Sequence, residues 1–175
     1  MRSLARTTLI SAAFIASAAF AQAPAPGSAP APEAAAKEMP VYDNALADGW
    51  QNWSWAKSEL SVTLNGSARK PIKVEAGPWQ ALYLHHDAFS TAGLRKISLL
   101  LQGSAPDGQV RIFALAEGKP IGEGYLVKLS NTGWKQVEQP LSVLGAEEKM
   151  IDGIWVQNAS ATDLPKFYVT EIKLQ

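Results

Sequence analysis

Trp53 and Trp55 stand two residues apart in this chain of 175 residues, as do Tyr83 and His85, and Trp155 and Gln157. Together with Arg111 they are the side chains whose types and spacing could do chemistry. On an extended strand, residues i and i+2 share a face, so each pair is presented together. Flat rings beside Arg, Gln and His suit a sugar. A pyranose offers a patch of C–H bonds that stacks on a ring face, and around it hydroxyls that need directional donors and acceptors. The plainer fate of any one tryptophan is core packing, and Trp50, Trp79 and Trp134 are expected in the core or at a sheet edge.

Catalysis finds little to work with. The two histidines, His85 and His86, are neighbours, and neighbours on a strand point to opposite faces. They cannot serve one triad or chelate one metal together. No serine stands in a Gly-x-Ser-x-Gly elbow. The acids fall mostly in turns or beside lysines, and Glu147-Glu148 reads as a solvated loop rather than a pair flanking a scissile bond. Gly122-Glu123-Gly124 lacks the pattern of a phosphate loop. The chain has no cysteine, which excludes a disulfide framework, a thiolate metal site and a cysteine nucleophile. No enzyme is expected. Sixteen basic residues balance sixteen acidic ones without a basic stripe, so no nucleic-acid partner is expected either.

The elements that must position these residues are strands. Ile72 and Val74 alternate with Lys73 and Glu75, and Val110, Ile112 and Ala114 alternate with Gln109, Arg111 and Phe113. Ile154 and Val156 alternate with Trp155 and Gln157. Period-two alternation is the mark of a half-buried strand. Further strand-like runs cover 50–55, 60–64, 79–86, 94–102, 124–129, 134–139 and 166–174. Asn65-Gly66, Gly77-Pro78, Pro106-Asp107-Gly108, Glu117-Gly118 and Thr132-Gly133 supply turns between them. About ten short strands with no convincing helix predict an all-β, antiparallel β-sandwich. The run 79–86 is apolar or aromatic on both faces, Tyr83 and His85 opposing Leu82 and Leu84. A second face of that kind needs a ligand, a covering loop or a partner.

Residues 1–21 carry two arginines, an apolar run and the closing Ala19-Phe20-Ala21, the pattern of a cleaved secretory signal peptide. A secreted or periplasmic location follows as the expectation, and no later run is long enough to span a membrane. Residues 22–40 are almost entirely Ala and Pro and read as an extended linker, with a protein partner docking through it as the alternative. The folded domain is expected over 41–175.

Three segments carry a resemblance. Val41–Leu46 with Gly49–Trp55, then Trp79–His86, then Gly153–Asn158 with Phe167–Ile172, resemble bacterial secreted galactose-binding-like jelly-roll domains, similar to the carbohydrate-binding modules found beside glycoside hydrolases. The resemblance spans essentially 41–174 and implies a jelly roll that binds a polysaccharide or oligosaccharide without cleaving it. It maps Trp53, Trp55, Tyr83, His85, Arg111, Trp155 and Gln157 onto the ligand face. A structural or protein-interaction jelly roll of the bacterial envelope is the alternative. First and last strands commonly pair in jelly rolls, so Asp43 is expected near Glu171, where two carboxylates and backbone carbonyls could hold a structural Ca²⁺. The family's usual Phe-Tyr-x-Asp-Asp-Ile reads Phe167-Tyr168-Val169-Thr170-Glu171-Ile172 here. That departure leaves no cofactor as the expectation and calcium as its alternative.

Overall fold

Alternation decides the architecture. Ile97, Leu99 and Leu101 all point one way from their strand and are all buried, and so are Val110, Ile112 and Ala114. A computed structural model describes residues 37–175. The signal-peptide reading of 1–21 and the linker up to residue 36 lie outside the described residues. No helix among the described residues is long and apolar enough to cross a membrane.

Among the described residues thirteen strands follow in order: β1 (Met39–Asp43), β2 (Ala45–Leu46), β3 (Gln51–Asn52), β4 (Lys57–Glu59), β5 (Ile72–Ala76), β6 (Ala81–Ser90), β7 (Lys96–Gly103), β8 (Gln109–Ala116), β9 (Lys119–Pro120), β10 (Tyr125–Lys128), β11 (Lys135–Pro140), β12 (Met150–Asn158) and β13 (Leu164–Leu174). They form two antiparallel sheets, one of seven strands and one of six. The back sheet runs β11-β7-β13-β1-β2, with β5 also on β13 and β4 on β5. The front sheet runs β10-β8-β12-β6-β3, with β9 on β8. The all-β antiparallel sandwich expected from the sequence is the fold observed.

Most alternating runs became strands, and three expectations need correcting. No strand covers 60–64; the strand of that region is Lys57–Glu59. The run 50–55 pairs only over Gln51–Asn52. β6 begins at Ala81, because Gly77–Gln80 is a turn closed by the Gln80 N–H on the Gly77 carbonyl at 3.1 Å. The short strands β2 and β9 carry too few residues to show a period, and β1 starts at Met39, two residues inside the Ala/Pro-rich segment.

Leu82 and Leu84 of β6, Ile112 of β8 and Val156 of β12 meet Leu99 of β7, Val74 of β5 and Phe167 of β13 in one buried cluster. Each such side chain contributes about 1.5–3 kcal/mol through burial. β13 is the hinge of the back sheet. Val169 pairs with Ile72 of β5, whereas Ile172 pairs with Tyr42 of β1, and between them Glu171 takes a left-handed φ of 50°. Asn158 closes one end of the sandwich: its buried amide donates to the carbonyls of Ala76, Gly77 and Thr162 and accepts from the Ser160 N–H. On the outer side of the back sheet Lys57, Glu75, Lys73 and Glu59 form a chain of ion pairs across β4 and β5 at 2.8–3.1 Å.

Candidate functional site

The outer face of the front sheet is a grid of three cross-strand rows. Gln51 of β3, His85 of β6, Gly153 of β12 and Leu115 of β8 make the first. Tyr83, Trp155 and Phe113 make the second, and Ala81, Gln157, Arg111 and Leu126 the third. These residues alternate with Leu82, Leu84, Ile154, Val156, Val110 and Ile112, which line the core. Ala81, Tyr83 and Leu115 are buried yet stand outside that core, covered from the other side.

The rings pack into one continuous surface. Trp53 stacks on His85 with centroids 3.6 Å apart and planes 5° apart. Tyr83 meets Trp53, His85 and Trp155 edge to face at 5.7–5.9 Å. Trp155 carries Trp55 against it at 4.7 Å and Phe113 at 6.2 Å, both near perpendicular. Neighbouring strands lie about 4.8 Å apart, so the array from β3 to β8 is roughly 14 Å wide. Trp53 and Trp55 remain 52% and 42% exposed, whereas Tyr83 is only 8% exposed. Tyr83 is the floor of this surface and the tryptophans its upper layer.

Trp53 and Trp55 do share a face, but not as a regular strand. Beyond Asn52 the Trp53 N–H still donates to the Tyr83 carbonyl at 2.9 Å and the Ala56 N–H to the Ala81 carbonyl at 3.1 Å. Between them the Ser54 hydroxyl, not a backbone carbonyl, accepts the Tyr83 N–H at 2.9 Å. Asn52 holds that serine through its side-chain oxygen, and the Gln51 amide oxygen fixes the Trp53 indole N–H at 2.9 Å.

Trp79 corrects the expectation of core or edge packing: its ring is 55% exposed. It occupies the third position of the Gly77–Gln80 turn behind Pro78, with a φ of 59°. Proline second and a left-handed third residue mark a type II turn, in which the third place ordinarily goes to glycine. A tryptophan held there is strained. The Gln157 amide fastens it by donating to the Trp79 carbonyl at 2.8 Å, which leaves the Gln157 oxygen free as an acceptor. Arg111, opposite Gln157, spends one guanidinium N–H on the Glu123 carbonyl at 2.8 Å and keeps the others. Donor and acceptor therefore stand side by side at the edge of the rings.

Of the seven residues expected to bind, all lie on or at the border of this face. Phe113 and Trp79 were not among them. Phe113 shares Arg111's side of the alternation and was readable from it; Trp79 was not, because nothing local forces a tryptophan into a left-handed turn. His86 points away, tilted against Trp50 and Phe89. Asp43 and Glu171 line one cavity of about 310 Å³ at the β1–β13 edge with Glu38, Tyr42 and Lys173. Glu171 is engaged by Arg69 and Glu38 by Lys173, and no group of three His, Asp or Glu among the described residues is arranged to hold a metal.

No protein-family model matches the chain. Among solved structures it is similar to the family 11 carbohydrate-binding module from Clostridium thermocellum in complex with a β-1,3-1,4-mixed-linked tetrasaccharide, at TM-score 0.59 and 20% identity, covering 78% of this chain and 94% of that one. It is also similar to a family 29 carbohydrate-binding module from Piromyces equi, at TM-score 0.56 and 16% identity over 79% of this chain and 89% of the other. An endoglucanase of Dictyostelium discoideum is 20% identical over 149 residues. That match takes in 79% of this chain but only 21% of the endoglucanase, so the chain spans about a fifth of the relative's length. The solved structures agree with the jelly-roll sandwich.

Proposed function

We propose that this chain is an exported, non-catalytic carbohydrate-binding protein that takes a polysaccharide or oligosaccharide on the outer face of its front sheet. One observation carries the reading: the loop after β3 and the strands β6, β8 and β12 bring Trp53, Trp55, Tyr83, His85, Phe113 and Trp155 into a single ring surface outside the core. Three exposed indoles supply stacking planes, and Gln157 with Arg111 supplies the acceptor and donor that a pair of hydroxyls requires. The similarity in fold to carbohydrate-binding modules supports the same ligand class. Asp152, the acid beside the array, already accepts a backbone N–H, which favours binding over acid–base chemistry. The secretory pattern of residues 1–21 supports export.

Hydroxyl–protein hydrogen bonds largely replace hydroxyl–water ones and net about 1 kcal/mol each, so the affinity expected is weak, ~10 µM to 1 mM. Titration with soluble glycans, mixed-linked β-1,3-1,4-glucan first, should change tryptophan fluorescence as the exposed indoles leave water. A panel of neutral and acidic glycans that leaves the spectrum unmoved would overturn the reading and favour a protein-interaction jelly roll.

A further inference from the structure

Asp152 stands beside the ring surface without belonging to it. The β12–β6 register slips between Ile151 and Gly153, where Asp152 alone stands opposite three residues of β6, His86, Asp87 and Ala88, which bulge. One of its oxygens, Oδ2, accepts the Gly118 N–H at 2.8 Å, while Oδ1 is buried and makes no hydrogen bond. Gly118 and Glu117 are the two-residue tip of the β8–β9 hairpin, flanked by the Ala116–Lys119 pair. Both tip residues are left-handed, with φ of 69° and 54°, the mark of a type I′ turn. The turn itself leaves the N–H of its second tip residue unused, and a glutamate sits in the left-handed region at a cost. A tip of this kind gains from an outside acceptor, and Asp152 is that acceptor.

What the tip touches gives the contact its meaning. A Cβ on Gly118 would stand 4.0 Å from the Tyr83 hydroxyl, and a Cβ on Gly153 would meet the Tyr83 ring at 2.6 Å. Tyr83 therefore lies across Gly153 with its hydroxyl end under the hairpin tip. Three rings, Trp53, His85 and Trp155, rest edge to face against Tyr83.

We propose that Asp152 is a positioning residue of the ligand face: by holding the Gly118 tip over Tyr83 it fixes the ring that sets Trp53 and Trp155. The proposal rests on the carbohydrate reading for its purpose, but the latch itself can be tested without a ligand. Burial first, and the nearby Asp152 charge second, hold the Tyr83 phenol above its usual range, which gives the latch a spectroscopic handle.

Asp152→Ala and Asp152→Asn, in the full chain, separate the possibilities. The alanine variant should lose near-ultraviolet circular dichroism from the coupled rings and bind a β-1,3-1,4-glucan tetrasaccharide three- to tenfold more weakly. The asparagine variant keeps an acceptor for Gly118 and should restore both, while lowering the pH at which Tyr83 ionises, read as the phenolate absorbance absent from Tyr83→Phe. Should the alanine variant fail to fold, Asp152→Ser, too short to reach Gly118, reads the same loss. An alanine or serine variant with an unchanged ring spectrum, or an asparagine variant as impaired as alanine, overturns the latch. If the wild-type chain binds no glucan, the function reading fails and the ligand-free spectrum alone decides the latch.

Discussion

Trp53 and His85 lie parallel with centroids 3.6 Å apart, although one belongs to an irregular loop and the other to the longest strand of the front sheet. The loop ring is half exposed and rests on the strand ring, so the stack faces outward as a plane ready for a third flat partner.

Trp53→Ala should therefore cost affinity rather than stability. Glucan binding should weaken by about tenfold or more, by analogy with the 1–3 kcal/mol of truncated binding hot spots. Trp50, buried against His86 and Phe89, is its control: Trp50→Ala should cost about 3–5 kcal/mol in denaturant unfolding. Equal stability losses in the two variants would place Trp53 in the fold and not in the site.

Trp79→Gly should move stability and binding in opposite directions. Glycine accepts the left-handed turn without the steric penalty of about 1–2 kcal/mol borne by other residues, so part of that sum should reappear as stability in chemical unfolding. The same change removes an exposed indole beside Gln157, and glucan affinity should fall. A variant that loses both would show that the ring is a packing element.

Gly153→Ala should be harmful out of proportion to one methyl group. The added Cβ meets the Tyr83 ring at 2.6 Å and the Leu84 carbonyl at 2.8 Å, and the carbonyl belongs to a paired strand that cannot move aside. Overpacking of this kind costs about 1–3 kcal/mol, measurable as a lowered Tm with the ring spectrum disturbed.

Alkaline pH should destabilise the fold through Tyr83. Its phenol is raised in the folded state, by burial first and by Asp152 second, so the unfolded chain gives up that proton first as pH rises. The contribution is complete below the unfolded value of about 10 and is lost as pH climbs through the folded one. Tm measured from pH 8 upward should fall more steeply for the wild type than for Tyr83→Phe. Parallel curves would remove Tyr83 as the cause.

Chelation should leave Tm unchanged, because Arg69 already engages the Glu171 carboxylate that the calcium reading requires. A loss of Tm in EDTA, reversed by excess Ca²⁺, would restore Asp43 and Glu171 as ligands.

The sandwich was legible because Ile97, Leu99 and Leu101, or Val110 and Ile112, repeat with a period that only a strand explains. The same period placed Tyr83, His85, Trp155, Gln157 and Arg111 on one face, since a side-chain rule that sends alternate residues inward sends the others out. It could not show the Trp53–Trp55 loop, where a serine hydroxyl replaces a strand carbonyl. Nor could it show Trp79, whose turn breaks the usual preference for glycine, or Asp152, which leaves the alternation at a bulge. Each of those is a contact between distant parts of the chain, and no local pattern records it.

The ion pairs across β4 and β5 bear on what a second copy of the chain would meet. β4 is the border strand on that side, three residues long, and Lys57 and Glu59 are both exposed and committed to partners within the sheet. An incoming strand would have to dock its backbone on a charged, already neutralised margin and strip water from it. At the opposite border of the back sheet, β11 ends in Pro140, which has no N–H to offer a newcomer. At β4 and at β11 the sheet is therefore discouraged from growing sideways into a polymer, the hazard every open sandwich carries.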